Sequence, residues 1–302
     1  MESSYSMKNL IGMLGKENFS KILRGLFNRV PIVVVGDESL QVDKVINSLV
    51  QLMPHRNELV YWSDFIEEDE LIRLYQEEEN DFNVSRIIIR SPSNATPHAF
   101  RKINSNNFSG WVIGYSLKDR ITLREAIENI SKKINTSIIL YLNRDKLEII
   151  ESNYKWNGME YDFEKNLIHK AIIETEEALE KMKRVLQKKI KNYKNSGIIE
   201  AIMNFETEEE KIRQNIYRQK INEFVQAANR ALAILSRIEL LQELGFNIQI
   251  SDKTLLKTID YQGVGHKRLL EFLLYEYGID FSKCIGTGLK IDIGDIIESR
   301  WG

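Results

Sequence analysis

Hydrophobic positions along the chain change rhythm once. Up to about residue 150, short apolar runs alternate with stretches in which apolar residues recur every three or four positions; from about residue 164 the three-and-four spacing dominates. Short β-branched or aromatic runs bounded by turn residues mark buried strands, and three-and-four spacing marks one face of a helix. Pro31 to Val35 (PIVVV) is therefore predicted as a strand ending at Gly36-Asp37. Ser39 to Met53 follows as a helix with Val42, Val45, Ile46, Leu49, Val50 and Met53 on its inner face, stopped by Pro54. Further strands are expected at Leu59 to Trp62, Arg86 to Arg90, Trp111 to Tyr115, Ser137 to Leu142 and Lys146 to Ile150. Helices are expected at Glu67 to Glu79, near Pro97 to Ile103, and at Thr122 to Ile134, where Thr122 and Glu125 have the spacing of a capping box. This β-α-β alternation implies an α/β fold, a mainly parallel sheet with flanking helices, over residues 1–155.

The second regime is helical. Ile168, Ile172, Thr175, Leu179, Met182, Leu186 and Tyr193 step by four and three, broken only at Lys189, as on a coiled-coil helix from about Glu164 to Lys194. Asn195-Ser196-Gly197 reads as a break and Ile198 to Asn204 as part of a connection. A second long helix, Glu208 to Leu244 with Gly245 as its C-cap, would complete a long antiparallel helix hairpin over residues 156–245. Residues 246–302 read as a small winged-helix-like tail. It would comprise an edge strand Phe246 to Ile250, a helix capped by Asp252, an apolar helix His266 to Tyr277 ended by Gly278, and a strand Leu289 to Ile293 paired with the first.

Composition narrows the function classes. The 302 residues are 43% hydrophobic and 28% charged with a formal net charge of -2, so no global field demands nucleic acid or an anionic membrane. The one cysteine, Cys284, excludes an intramolecular disulfide and a multi-cysteine zinc site. No run approaches the length of a membrane span, and the first 20 residues lack the apolar core of a signal peptide, so a cytoplasmic location is expected.

Ligands of open α/β sheets bind at the carboxyl ends of the strands, which directs attention to Gly36-Asp37-Glu38-Ser39. A phosphate loop needs several glycines and a Lys; this loop has one glycine and two carboxylates, and reads as a capped turn. No His pair has metal-ligand spacing, no serine sits in a GxSxG elbow, and the acidic run from Asp64 to Asp81 reads as a solvated face. No catalytic residue, metal site or cofactor is expected. The candidate interaction residues are cationic: Lys181, Lys183, Arg184, Lys188, Lys189, Lys191 and Lys194 on the first long helix, and His266, Lys267 and Arg268 in the tail. They suit either a solvated helix end or contact with nucleic acid, acidic lipid or an acidic protein. In the tail helix Leu269, Leu270, Phe272, Leu273 and Leu274 read as core, which leaves only its first turn free for base edges.

From Ile22 to Ile150 the order of segments resembles the central part of DENN modules, including the folliculin branch. The residues that carry it are the apolar helix ILRGLF (Ile22 to Phe27), PIVVVGD, the helix ending at Met53-Pro54, LVYW, GWVIGY (Gly110 to Tyr115) and SIILYLNRDKLEII. Ser109-Gly110 stands where those modules carry a proline-rich segment. DENN proteins act on small GTPases, mostly as nucleotide exchange factors, so the resemblance implies that class of partner and maps no catalytic residue. The expected function is a non-enzymatic regulatory or scaffolding protein that binds another protein. The alternatives are a degenerate P-loop-like nucleotide-binding protein, and a nucleic-acid-binding module using the basic helix and the tail.

Overall fold

The structure, a computed structural model, describes residues 4–64, 67–82, 84–103, 110–117, 121–152, 154, 161–190 and 196–286. The chain divides into two compact units, Met1–Asn222 and Glu223–Gly302.

The first unit is built on one six-stranded sheet of β1 (Ile32–Gly36), β2 (Asn57–Val60), β3 (Ile87–Ser91), β4 (Trp111–Ser116), β5 (Ile138–Asn143) and β6 (Lys146–Ser152), in the order β2-β3-β4-β1-β5-β6. The first five strands are mutually parallel and β6 is antiparallel to β5, as the short hairpin at Asn143 requires. The expected mainly parallel sheet is therefore present. Interior strands are apolar on both faces because helices cover both, which is why they read as continuous runs of Ile and Val. One face buries Val33, Val35, Ile89, Trp111, Ile113 and Ile139 against Leu71 of α3 (Glu68–Asn80), Ala99 of α4 (Thr96–Lys102) and Ala126 and Ile130 of α5 (Leu123–Lys133). On the sheet, α2 (Ser39–Val50) packs against β1 and β4 through Val42, Val45, Ile46 and Leu49. Thr122 and Glu125 form the expected capping box: the Thr122 hydroxyl accepts from Glu125 N at 3.3 Å and the Glu125 carboxylate from Thr122 N at 2.8 Å.

The sequence pattern left one large element mostly unassigned. Met7–Phe27 is α1, capped by Ser6 and kinked at Gly15, whose φ of 73° is open to glycine without strain. Leu10 and Leu14 lie inward before the kink, and Phe19, Ile22, Leu23, Leu26 and Phe27 after it. The kink splits the periodicity into two short pieces, neither of which stands out alone. The second strand is also shifted: Trp62 has a left-handed φ of 80° and lies beyond β2, because an L side chain at positive φ ends an extended run.

The two long helices are α6 (Asp162–Ile190) and α7 (Ser196–Glu243). They run antiparallel within the first unit: Glu174 of α6 pairs with Lys220 of α7 at 2.9 Å, and Lys183, further along α6, acts on Glu209, earlier along α7. Residues 198–204, expected in the connection, are helical, because Ser196 begins a helix instead of ending one.

The second unit holds the end of α7, α8 (Asp252–Thr258) and α9 (His266–Tyr277). Its core joins Phe224, Ala228, Ala231 and Leu235 to Leu255, Leu269, Phe272 and Phe281, and the Phe224 and Phe272 rings meet edge to face at 4.9 Å. Two expectations are corrected. The cap of α8 is Ser251, whose hydroxyl accepts from Thr254 N at 3.2 Å, and not Asp252. Phe246 to Ile250 forms no strand. It alternates in burial, but it is joined only by the isolated bridge between Ile250 and Ile285, and its expected partner, Leu289 to Ile293, lies outside the described residues. Gly278 ends α9 in the left-handed conformation, as its position implied.

At Gly36 the strand-to-helix turn needs close approach, not positive φ: a Cβ there would lie 2.8 Å from Val42 Cγ2 and 3.3 Å from Leu142 Cβ. Gly36→Val should therefore lower stability by about 1–3 kcal/mol through overpacking. Thermal denaturation measures it, and an unchanged melting temperature would show that the turn is not packed in this way.

Candidate functional site

The strand order puts β1 between β4 and β5, so the chain leaves β1 in one direction and later returns to its other side. The carboxyl ends of the strands at such a reversal are the usual ligand position in these sheets. Here the chain's own groups bond to one another at those ends. Asp43 of α2 accepts from Ser93 N at 2.8 Å and Ser93 Oγ at 3.1 Å. Gly114 of β4 lies against both: a Cβ there would be 3.0 Å from Asp43 Oδ1 and 3.1 Å from Ser93 N. Leu117 N donates to Gly36 O at 2.8 Å and Ser116 Oγ to Asp37 O at 3.3 Å, so backbone of the first loop is already engaged. Asp37, Glu38, Ser39 and Leu40 are exposed. Glu38 is the N-cap residue of α2 but makes no side-chain capping bond, so its carboxylate acts on the helix only through its charge.

The expected cationic residues fall into three groups. Lys181, Lys183 and Arg184 are exposed on α6, with Arg184 bridged to Glu180 at 3.4 Å. A hydrogen bond from Arg213, aided at longer range by Lys8 and Lys183, holds the Glu209 carboxyl below the usual range. The Lys188 and Lys189 side chains, and Lys191 and Lys194 entirely, lie outside the described residues. In the tail, His266 Nδ1 lies 3.5 Å from Asp252 Oδ2 and Lys267 is exposed, but Arg268 is buried beside Glu271 at 3.7 Å. Arg268 thus belongs to the packing of α9 and is not presented to a partner. Leu269, Phe272 and Leu273 are core as expected, whereas Leu274 is 41% exposed.

Other polar groups were not marked by sequence. Glu78 was expected on a solvated face; it is buried, 3.0 Å from Arg29, and also accepts from Ile87 N. Tyr75 is partly buried nearby, and desolvation raises its phenol pKa. The Trp62 and His98 rings meet at a tilt, with centroids 4.2 Å apart. Among the described residues no group of three His, Cys, Asp or Glu side chains is placed to hold a metal ion, and no helix is long and apolar enough to cross a membrane.

Comparison with protein-family models, with curated proteins and with solved structures finds no match. The fold therefore defines the class: a mainly parallel α/β sheet followed by long helices.

Cys284 is buried, and burial pushes its thiol up to about 11. Since the thiolate is the reactive form, native protein at pH 8 should react with a thiol reagent far more slowly than unfolded protein. Rapid modification without unfolding would contradict its position in the core.

Proposed function

We propose that this chain is a non-enzymatic regulatory or scaffolding protein that binds another protein, with a small GTPase as the partner class that the DENN resemblance suggests. The observation that supports it best lies at the carboxyl ends of the strands, where such sheets take a small substrate: Asp43 is bonded to Ser93, and Val42 is packed against Gly36 and Gly114. Binding is then a matter of surface, and the exposed cations of α6 together with Ile173 and Val185, both exposed on the same helix, offer mixed charged and apolar contact. A second reading, a degenerate nucleotide-binding protein, is favoured by the central position of β1, which puts the Gly36 loop at the point of reversal. The carboxylates of Asp37 and Glu38 weigh against it, because they would repel a phosphate.

Affinity purification of the full chain from its source cell, followed by mass spectrometry, should recover a protein partner. Exposed charge pairs contribute about 0–1 kcal/mol each and are screened by salt, so Lys181→Glu with Lys183→Glu should weaken capture several-fold at low salt and leave the melting temperature within a few degrees. Recovery of nucleic acid alone would contradict the proposal. Capture unchanged by the double reversal would remove α6 from the contact.

A further inference from the structure

The outermost strands of an open sheet carry unpaired backbone groups, which can pair with a strand of another chain. Here those strands are β2 and β6. β6 packs against α1 and carries an extra residue, Ile150, between the pairs Ile139 with Glu151 and Leu140 with Ile149. Such a bulge bends an edge and interrupts further pairing. β2 pairs with β3 in unbroken register, and its Asn57 and Glu58 are exposed.

In a parallel pair, alternate residues of one strand face the other. Asn57 N donates to Arg86 O at 2.8 Å and Tyr61 N to Arg90 O at 2.9 Å, so the odd-numbered residues of β2 face β3. Glu58 and Val60 therefore direct their N–H and C=O groups away from the sheet. At Val60 the chain itself takes both. Asp64 Oδ2 accepts from Val60 N at 2.6 Å, and Val60 O accepts from Ser63 N at 3.1 Å and Asp64 N at 2.9 Å. Of the outward-facing residues of β2 only Glu58 is left, and one residue is too short a ladder to hold an added strand.

The reversal that brings Asp64 back beside Val60 is made at Trp62, whose φ is 80°. A bulky L residue seldom adopts that conformation, and such strain persists only where the surroundings determine it. Burial does not hold Trp62 there, since it is 44% exposed. The three bonds at Val60 hold it, together with ring contacts to Tyr61 and His98 at 5.6 and 4.2 Å between centroids. An extended residue at this position would instead carry β2 onward and leave Val60 open.

We infer that the left-handed turn at Trp62 and the Asp64 carboxylate close the free edge of the sheet against strand addition by a second copy of this chain. Asp64 takes the place that the carbonyl of an incoming strand would fill at Val60 N. The device is independent of the contact proposed for α6.

Analytical ultracentrifugation of the full chain across a wide concentration range, with infrared spectra in the amide region, tests this. Trp62→Val combined with Asp64→Ala disfavours the turn and removes the acceptor, so this variant should associate as concentration rises and gain intermolecular β-sheet absorption. Trp62→Gly deletes the ring but accepts the left-handed φ, and Asp64→Asn keeps an oxygen that can accept from Val60 N; both should sediment as the wild type does. The inference is overturned if the double variant, with a native near-ultraviolet spectrum, sediments as the wild type does. It is equally overturned if Trp62→Gly associates as much as the double variant, because the exposed ring would then be what matters. Hydrogen exchange of the wild type decides the question even if the double variant does not fold. A hydrogen bond to a charged group should slow exchange of the Val60 amide about tenfold or more relative to an unstructured peptide, while the Glu58 amide exchanges freely. A fast Val60 amide, or a Glu58 amide as protected as Val60, would contradict the closed edge described.

Discussion

A buried charge pair beneath the amino ends of the strands constrains much of the first unit. Arg29 and Glu78 meet at 3.0 Å, each largely shielded from water. Four pieces of chain converge on them: the second residue after α1, the last turn of α3, the start of β3 through Ile87, and the approach to β4, where Gly110 N donates to Arg29 O at 2.6 Å. Arg29 adopts a left-handed φ of 54° in this position, and Gly110 has φ of 86°. Burying such a pair is worthwhile only when the remaining polar valences are met, and loss of one partner typically costs about 3–5 kcal/mol. Arg56 extends the same device by donating to Leu26 O at 2.8 Å and Phe27 O at 3.2 Å, which satisfies carbonyls at the end of α1. Helix ends and strand starts are thus fixed by arginines at one edge of the sheet.

The opposite edge has the reverse character. Beside β1, where the strand order reverses, Asp43 is bonded to Ser93, and Val42 and Leu142 pack against Gly36. A sheet whose strand starts are fixed at one edge and whose side chains bond to one another at the other is well suited to hold shape. That asymmetry is why the proposed function rests on surfaces rather than on the sheet.

Strands and amphipathic helices of the first unit were legible because burial on both sheet faces leaves runs such as Val33 to Val35 and Ile87 to Ile89, and one-sided burial leaves three-and-four spacing in α2. What was not legible depends on contacts distant in sequence. Glu78 stands among other acids, and only the position of Arg29, forty-nine residues earlier, makes it a core residue. Tyr217 reads as one more apolar position on a long helix; nothing local indicates that its hydroxyl lacks a partner. The basic residues of the tail share one short stretch, but the packing of α9 takes Arg268 inward and leaves Lys267 out. Ser251 precedes Asp252, and two good capping residues side by side leave a helix start ambiguous by one position.

The proposal on which the account turns is that the carboxyl edge of the sheet binds no nucleotide. Calorimetric titration of the full chain with Mg-ATP and Mg-GTP tests it directly. The account expects no saturable heat at concentrations up to about 1 mM, a limit that corresponds to roughly 4 kcal/mol of binding free energy. A saturable isotherm with a micromolar or tighter dissociation constant, abolished by a bulky substitution at Ser39, would contradict it.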